Sequence, residues 1–332
     1  MAILVTGGAG YVGSHTVAAL VERGVEAVVV DNLEKGHREA VWPGAKLYEC
    51  DLRDAAALDA VFAENKITAV IHFAAYSLVA ESVKNPAKYY DNNVAGTLQL
   101  LKTMNNHNVK SIVFSSTAST YGEPDTIPVT EEAQERPINP YGESKLAVER
   151  MLKWFDGAYG LKHVILRYFN VAGAHESAKI GEDHDPETHL IPMILQTALG
   201  KRSSFDLYGD DYPTPDGTCI RDYIHIMDLA DAHILALGKL EKEPASALYN
   251  LGSGSGFSNK EILEAAKKIT GIDIPVRFAP RRAGDPPVLV ASSDKIKREL
   301  GWSPNRTHID NIIRTAWAWH SAHPDGFKRR PM

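Results

Sequence analysis

Thr6-Gly7-Gly8-Ala9-Gly10-Tyr11-Val12-Gly13 lies between the apolar run Ile3-Leu4-Val5 and the helix-like segment Val12–Glu22. A buried strand that turns through glycines into a helix presents backbone N–H groups at the helix start, where a pyrophosphate can approach them. The glycines fit two registers, Gly8-x-Gly10-x-x-Gly13 and Gly7-x-x-Gly10-x-x-Gly13, and the pattern alone does not choose between them. Asp31 closes the next apolar run, Val28–Val30, 18 residues after Gly13. A carboxylate there accepts hydrogen bonds from adenosine ribose hydroxyls and repels a 2′-phosphate, so the reading is NAD rather than NADP.

Outward from this turn, strand-length apolar runs (Ala69–Phe73, Ser111–Phe114, Val164–Leu166) alternate with helix-like segments (Ala55–Ala63, Tyr89–Met104, Tyr141–Phe155). Continuous Val/Ile runs joined by helical crossovers belong to parallel sheets covered on both faces. The expected fold is therefore α/β: a Rossmann doubly wound parallel sheet over residues 1–172, with a return segment near 222–251. A smaller C-terminal α/β substrate-binding domain is expected to take most of residues 173–332. Within it a polar stretch over Gly173–Thr188 precedes a helix near Ile191–Leu199. Ile224–Leu240 and Asn259–Ile269 read as further helices, the latter N-capped by Ser258, and Ala247–Leu251 reads as a returning strand.

The 332 residues carry a formal net charge of -6 with 44% hydrophobic residues, and the pI is near 6.1. Lys and Arg are interspersed with acids, which excludes a stripe for neutralising nucleic-acid phosphates. Cys50 and Cys219 stand alone and far apart, so no zinc framework is expected and no metal is assigned. They fit a reducing compartment. No signal segment is read at the N-terminus, and no apolar run approaches the ~20 residues needed to span a bilayer, so a cytoplasmic enzyme with no membrane partner is expected.

Tyr141 and Lys145 lie four residues apart at the start of a helix announced by Asn139-Pro140, and share one face. A Tyr with an ordinary pKa near ~10 is a poor base at neutral pH, but an ammonium and a positive nicotinamide ring beside it favour the phenolate. Phe114-Ser115-Ser116-Thr117 ends a buried strand at the same carboxyl edge, where Thr117 can relay a proton. His72, inside Ile71-His72-Phe73, reads as a packed core histidine.

Together with Arg167-Tyr168-Phe169-Asn170, Asp216-Gly217-Thr218, Arg221-Asp222-Tyr223-Ile224-His225 and Ala279–Asp285, these motifs resemble the extended short-chain dehydrogenase/reductases, specifically their nucleotide-sugar epimerases, over nearly the whole chain. The resemblance implies an NAD-dependent isomerase that inverts C4 of a UDP-hexose through a transient 4-keto sugar, with Tyr141, Lys145 and Thr117 catalytic. It implies that Gly7, Gly10, Tyr11, Val12, Gly13, Asp31, Asn32, Asp51, Leu52, Phe73, Ala74, Ala75, Asn92, Ser115, Tyr141, Lys145 and Phe169 surround NAD. Thr117, Tyr141, Asn170, Leu190, Leu207, Tyr208, Arg221, Arg282 and Asp285 would hold the UDP-sugar, the guanidinium groups matching pyrophosphate oxygens. It also implies a homodimer built from helices near Pro86–Met104 and Tyr141–Phe155.

The sequence departs from the family pattern at three places: Ser77 where some members have Lys, His189 where many have Asn, and Leu289 where a bulky Tyr or a small Cys is found. Leu289 leaves acceptance of N-acetylated sugars open. A 4,6-dehydratase would need an acid and a base after the strand-end Thr, and Ala118-Ser119 stand there. A uronate epimerase or decarboxylase, and a non-catalytic NAD-sensing regulator, remain as alternatives.

Overall fold

The computed structural model describes residues 1–281 and 286–327. Seven parallel strands form its central sheet. In chain order six of them are β1 (Ala2–Thr6), β2 (Glu26–Asp31), β3 (Lys46–Glu49), β4 (Ile67–His72), β5 (Ser111–Ser115) and β6 (Lys162–Tyr168). The seventh, Ala247–Leu251, returns late in the chain to pair with β6, giving the spatial order Ala247–Leu251, β6, β5, β4, β1, β2, β3. The order reverses between β1 and β4, and ligands gather at such a switch point, beside the strands' carboxyl ends.

The apolar runs earn their place on both faces. Ile3 and Val5 of β1 join Val29, Ile71 and Val113 under helix α1 (Tyr11–Glu22) and the helix Ile226–Lys242. Leu4 points the other way, with Val28, Val70, Ile112 and Phe114, against Val148 and Leu152 of the helix Pro140–Tyr159. A second core gathers Ile191, Ile194, Phe205, Leu207, Ile262 and Ile312. Short strand pairs border it, Phe205–Tyr208 running parallel to Val276–Ala279. Ser258 caps the helix Asn259–Thr270 in a reciprocal box with Glu261, as its sequence suggests.

The helix expected over Tyr89–Met104 is not a continuous α-helix. Pro86–Tyr89 and Thr97–Asn106 are α-helical, but Tyr90–Gly96 between them winds as a π-helix. The cause is local competition for Asn93. Its amide accepts from the Tyr76 N–H (2.9 Å) and donates to the Tyr76 carbonyl and Ser144 Oγ (3.0 Å each), while Thr97 Oγ1 donates to the Asn93 carbonyl at 2.6 Å. The wider turn carries Asn92 on the wall of the main cavity.

Candidate active site

A cavity of about 370 Å3 opens at the carboxyl edge of the sheet, and every residue assigned from sequence to the dinucleotide lines it. The glycine turn forms one wall. Gly7 has φ +72°, and a Cβ there would lie 2.6 Å from the Ala74 nitrogen; a Cβ on Gly13 would lie 2.1 Å from the Gly7 carbonyl oxygen. On Gly10 a Cβ would meet nothing of the protein closer than 3.4 Å, so the space above the turn is open to a ligand. Gly8 instead packs against Val29. Gly7, Gly10 and Gly13 line the cavity and Gly8 does not, with Gly10 as the N-cap of α1 and free of any capping side chain.

Asp31 sits at the end of β2, 8% exposed, and accepts from the Ala9 and Leu33 N–H groups at 2.9 Å each. Burial pushes its carboxyl above the ordinary value, and those two N–H groups pull it partly back. Asn32 donates to Asp51 at 3.1 Å, and the Arg53 guanidinium holds Asp51 well below the usual carboxylate range. Both oxygens of Asp31 keep a free lone-pair direction for ribose hydroxyls.

At the other end of the cavity Asn139 caps the helix that starts at Pro140, its side chain accepting the Gly142 N–H at 2.9 Å. This presents Tyr141 and Lys145 on the cavity wall. Lys145 is buried and its Nζ donates to the Ser115 carbonyl at 2.9 Å. Burial pulls its ammonium down to about 7, against an upward pull from Glu149. Tyr141 is half-buried; burial raises its phenol, and a hydrogen bond from Thr117 lowers it. Thr117 does not line the main cavity itself, and it also accepts the Ser119 N–H at 3.1 Å. His72 is the packed histidine its sequence suggests, between Thr6 Oγ1 (2.6 Å) and Thr97 Oγ1 (2.8 Å).

The residues expected to meet the nucleotide diphosphate divide. Asn170 and Leu190 line the same cavity, and Tyr208 lines a small neighbouring one with Leu190. Leu207 is 1% exposed within the second core and lines neither cavity. Arg221 pairs in a two-residue strand with Phe257 and Leu289 and donates to the Ile220 carbonyl at 2.8 Å. Arg282 and Asp285 lie outside the described residues. Arg281 turns to Asp211 at 2.6 Å. Asp222 of the same motif serves the scaffold: buried, it accepts from the N–H groups of Ser253 (2.6 Å) and Ala291 (3.0 Å).

Two features escaped the sequence reading. Arg167, wholly buried beneath the helix Pro140–Tyr159, donates to Glu149 at 2.9 Å and to Glu135 at 2.5 Å, and Ser116 Oγ donates to Glu149 at 2.5 Å. The spacing of Glu149 and Arg167 carries no signal, because the pair joins a helix to a strand. The second is a cluster of Glu182, His184, Glu187 and His189, of which all but Glu187 line the cavity; its signal is Glu-x-His-x-x-Glu-x-His. Among the described residues no helix is long and apolar enough to cross a membrane.

Residues 3–252 match the model of the NAD dependent epimerase/dehydratase family. The chain is 57% identical over 330 residues to the UDP-glucose 4-epimerase of Lacticaseibacillus casei, covering 99% of this chain and 100% of that one. It is 59% identical over 332 residues to the UDP-glucose 4-epimerase of Streptococcus mutans, with 99% and 100% covered. The structure of UDP-glucose 4-epimerase from Bifidobacterium longum in complex with NAD+ and UDP superposes with a TM-score of 0.92 at 42% identity, covering 98% of this chain and 100% of that one.

Proposed function

The chain belongs to the NAD dependent epimerase/dehydratase family, and from this premise we propose that it interconverts UDP-glucose and UDP-galactose with NAD as resident cofactor. The observation that carries the reading is the convergence of Gly7, Gly10, Gly13, Asp31, Tyr141 and Lys145 on one cavity, in a chain alike over its full length to UDP-glucose 4-epimerases. Bound there, NAD supplies reversible hydride acceptance at C4 of the sugar.

The protein's own part is proton transfer and positioning. Tyr141 takes the 4-hydroxyl proton, with Thr117 as its hydrogen-bond partner. Because burial raises the Tyr141 phenol, the phenolate requires positive charge nearby, and Lys145, tethered to the Ser115 carbonyl, is the fixed cation. The 4-keto sugar would then turn about its link to the anchored UDP, C4 would regain the hydride on its other face, and Tyr141 would return the proton to the 4-oxygen. Asn170, Leu190, Leu207, Tyr208 and Arg221 are the proposed anchors, together with Arg282 and Asp285. Binding energy spent on UDP, remote from C4, holds the sugar while leaving it free to rotate. Purified protein given UDP-galactose and no added NAD is expected to produce UDP-glucose; absence of conversion by NAD-loaded protein would sink the proposal.

We also infer that residues 173–332 supply most of the UDP-sugar site, that two copies pair, and that the enzyme works in the cytoplasm without nucleic-acid or membrane partners. Exposed Tyr90 (44%) and Trp154 (78%), on the two helical segments expected to build the dimer, support pairing. Sedimentation as a monomer at micromolar concentration would refute it. Cys50 and Cys219, which no disulfide joins, support the reducing compartment.

A further inference from the structure

Glu182, His184, Glu187 and His189 each bring one ligand atom to a common place, and the four atoms lie within 4.8 Å of one another. His189 Nδ1 is 2.9 Å from Glu182 Oε1 and 3.1 Å from Glu187 Oε1; His184 Nδ1 is 3.3 Å from Glu182 Oε1 and 3.7 Å from Glu187 Oε2. The carboxylates are almost out of water, with side chains 5% and 4% exposed. Two neighbouring carboxylates are buried only against positive charge.

Hydrogen bonds from the imidazoles complete this cluster only in part: His189 Nδ1 bonds Glu187 Oε1 at 3.1 Å. The buried Nδ1 of His184 forms no hydrogen bond, although both carboxylates are near it. A ring N–H points along one line and serves one acceptor well. A cation at the centre takes a lone pair from all four groups at once. In a tetrahedral zinc site, with metal–nitrogen and metal–oxygen bonds of about 2.0–2.2 Å, ligand atoms stand about 3.3 Å apart. The His–Glu separations run from 2.9 to 3.7 Å around that spacing, His184 and His189 facing different oxygens of Glu187.

The frame around the cluster is already fixed. Glu187 Oε1 accepts the N–H groups of Thr188 and His189 at 2.8 Å each, and the Glu182 carbonyl accepts from Trp319 Nε1 at 3.1 Å. The Tyr11 ring meets His184 edge-on at 6.2 Å.

We propose that Glu182, His184, Glu187 and His189 form a binding site for one divalent transition-metal ion of the zinc class. Imidazole and carboxylate without thiolate suit Zn2+, and the buried oxygens explain a preference for a dication. The ion is structural. It neutralises two carboxylates beside the Tyr11 turn and ties the Gly181–Leu190 loop to the start of the helix Leu190–Ala198, a role independent of which sugar nucleotide the cavity accepts.

The test uses the full-length protein, stripped with EDTA, dialysed, loaded with ZnCl2 and passed through gel filtration. One zinc per chain by mass spectrometry and a melting temperature raised by several degrees are expected. Co2+ loading is expected to give the visible absorption bands of a four-coordinate nitrogen/oxygen site, and MgCl2 to give neither retention nor stabilisation. His184→Gln/His189→Gln is expected to lose the retained ion, whereas His107→Gln, at a surface histidine, keeps it. Wild-type protein that retains no zinc and melts unchanged would establish a purely proton-bridged cluster and overturn the proposal. Equal retention by the double variant would overturn it as adventitious binding, and the wild-type measurements alone decide if that variant fails to fold.

Discussion

Gly13→Ala tests the glycine turn at its tightest point. The new methyl would stand 2.1 Å from the Gly7 carbonyl oxygen and 2.8 Å from Gly8 Cα, and ordinary contact begins near 3.4 Å. Both neighbours are backbone, so the start of α1 must retreat by about 1.3 Å from the turn. That displacement breaks the approach of N–H groups to a pyrophosphate. Hydrogen bonds to charged groups contribute roughly 1.5–3 kcal/mol each, so losing two weakens NAD binding by about 3–6 kcal/mol, or on the order of 100- to 10,000-fold at 1.4 kcal/mol per decade. Overpacking costs the cofactor-free fold a further ~1–3 kcal/mol. Gly10→Ala is the matched control: its methyl meets nothing of the protein inside 3.4 Å, so it should weaken NAD binding while the cofactor-free protein melts normally. NAD retained after gel filtration, titration calorimetry and thermal melting of both variants check this. Gly13→Ala protein that keeps stoichiometric NAD and an unchanged melting temperature would refute the reasoning.

Tyr141→Phe is expected to lower turnover by about 100- to 10,000-fold, the usual worth of a general base, with UDP affinity by calorimetry nearly unchanged; near-normal turnover removes Tyr141 from that role. Lys145, held near 7 in the fold and far higher in the unfolded chain, makes cofactor-free protein gain stability as pH rises from about 7 towards 10, because there the unfolded chain binds the extra proton. The slope is at most ~1.4 kcal/mol per pH unit, and urea midpoints across that range should show Lys145→Met flattening it. Arg167→Met strands Glu149, 5% exposed, and is expected to cost about 3–5 kcal/mol in urea unfolding, much of it regained in Arg167→Met/Glu149→Leu. A single variant as stable as the parent would contradict the buried ion network.

What was legible in the sequence is what repeats along the chain. β1, β2, β4, β5 and β6 are apolar because both faces are covered, and the Gly7-to-Gly13 turn with Asp31 announces itself by spacing. β3 went unseen because Lys46–Glu49 is a half-exposed edge with no apolar run. The π-helical turns of Tyr90–Gly96 were equally hidden. They depend on bonds from Asn93 to Tyr76 and Ser144, partners 17 and 51 residues away. The acidic and imidazole groups between Glu182 and His189 do share a local pattern, but only the folded loop brings their ligand atoms together. For Thr117 the sequence indicated a strand end; its contact with Tyr141 is a tertiary fact.

The return of Ala247–Leu251 to the edge of β6 sets an order of events during synthesis. When the ribosome has delivered Tyr168, six of the seven strands have been made, yet the strand that covers the outer row of β6 N–H and C=O groups has not. The partner strand ends at Leu251. At about 5–20 residues per second, the edge stays bare for roughly 4–17 seconds. Through that interval the nascent chain offers the kind of template that other strands join, so holding factors at the exit tunnel would find their target here. A gene fragment stopped after residue 172 would make that interval permanent.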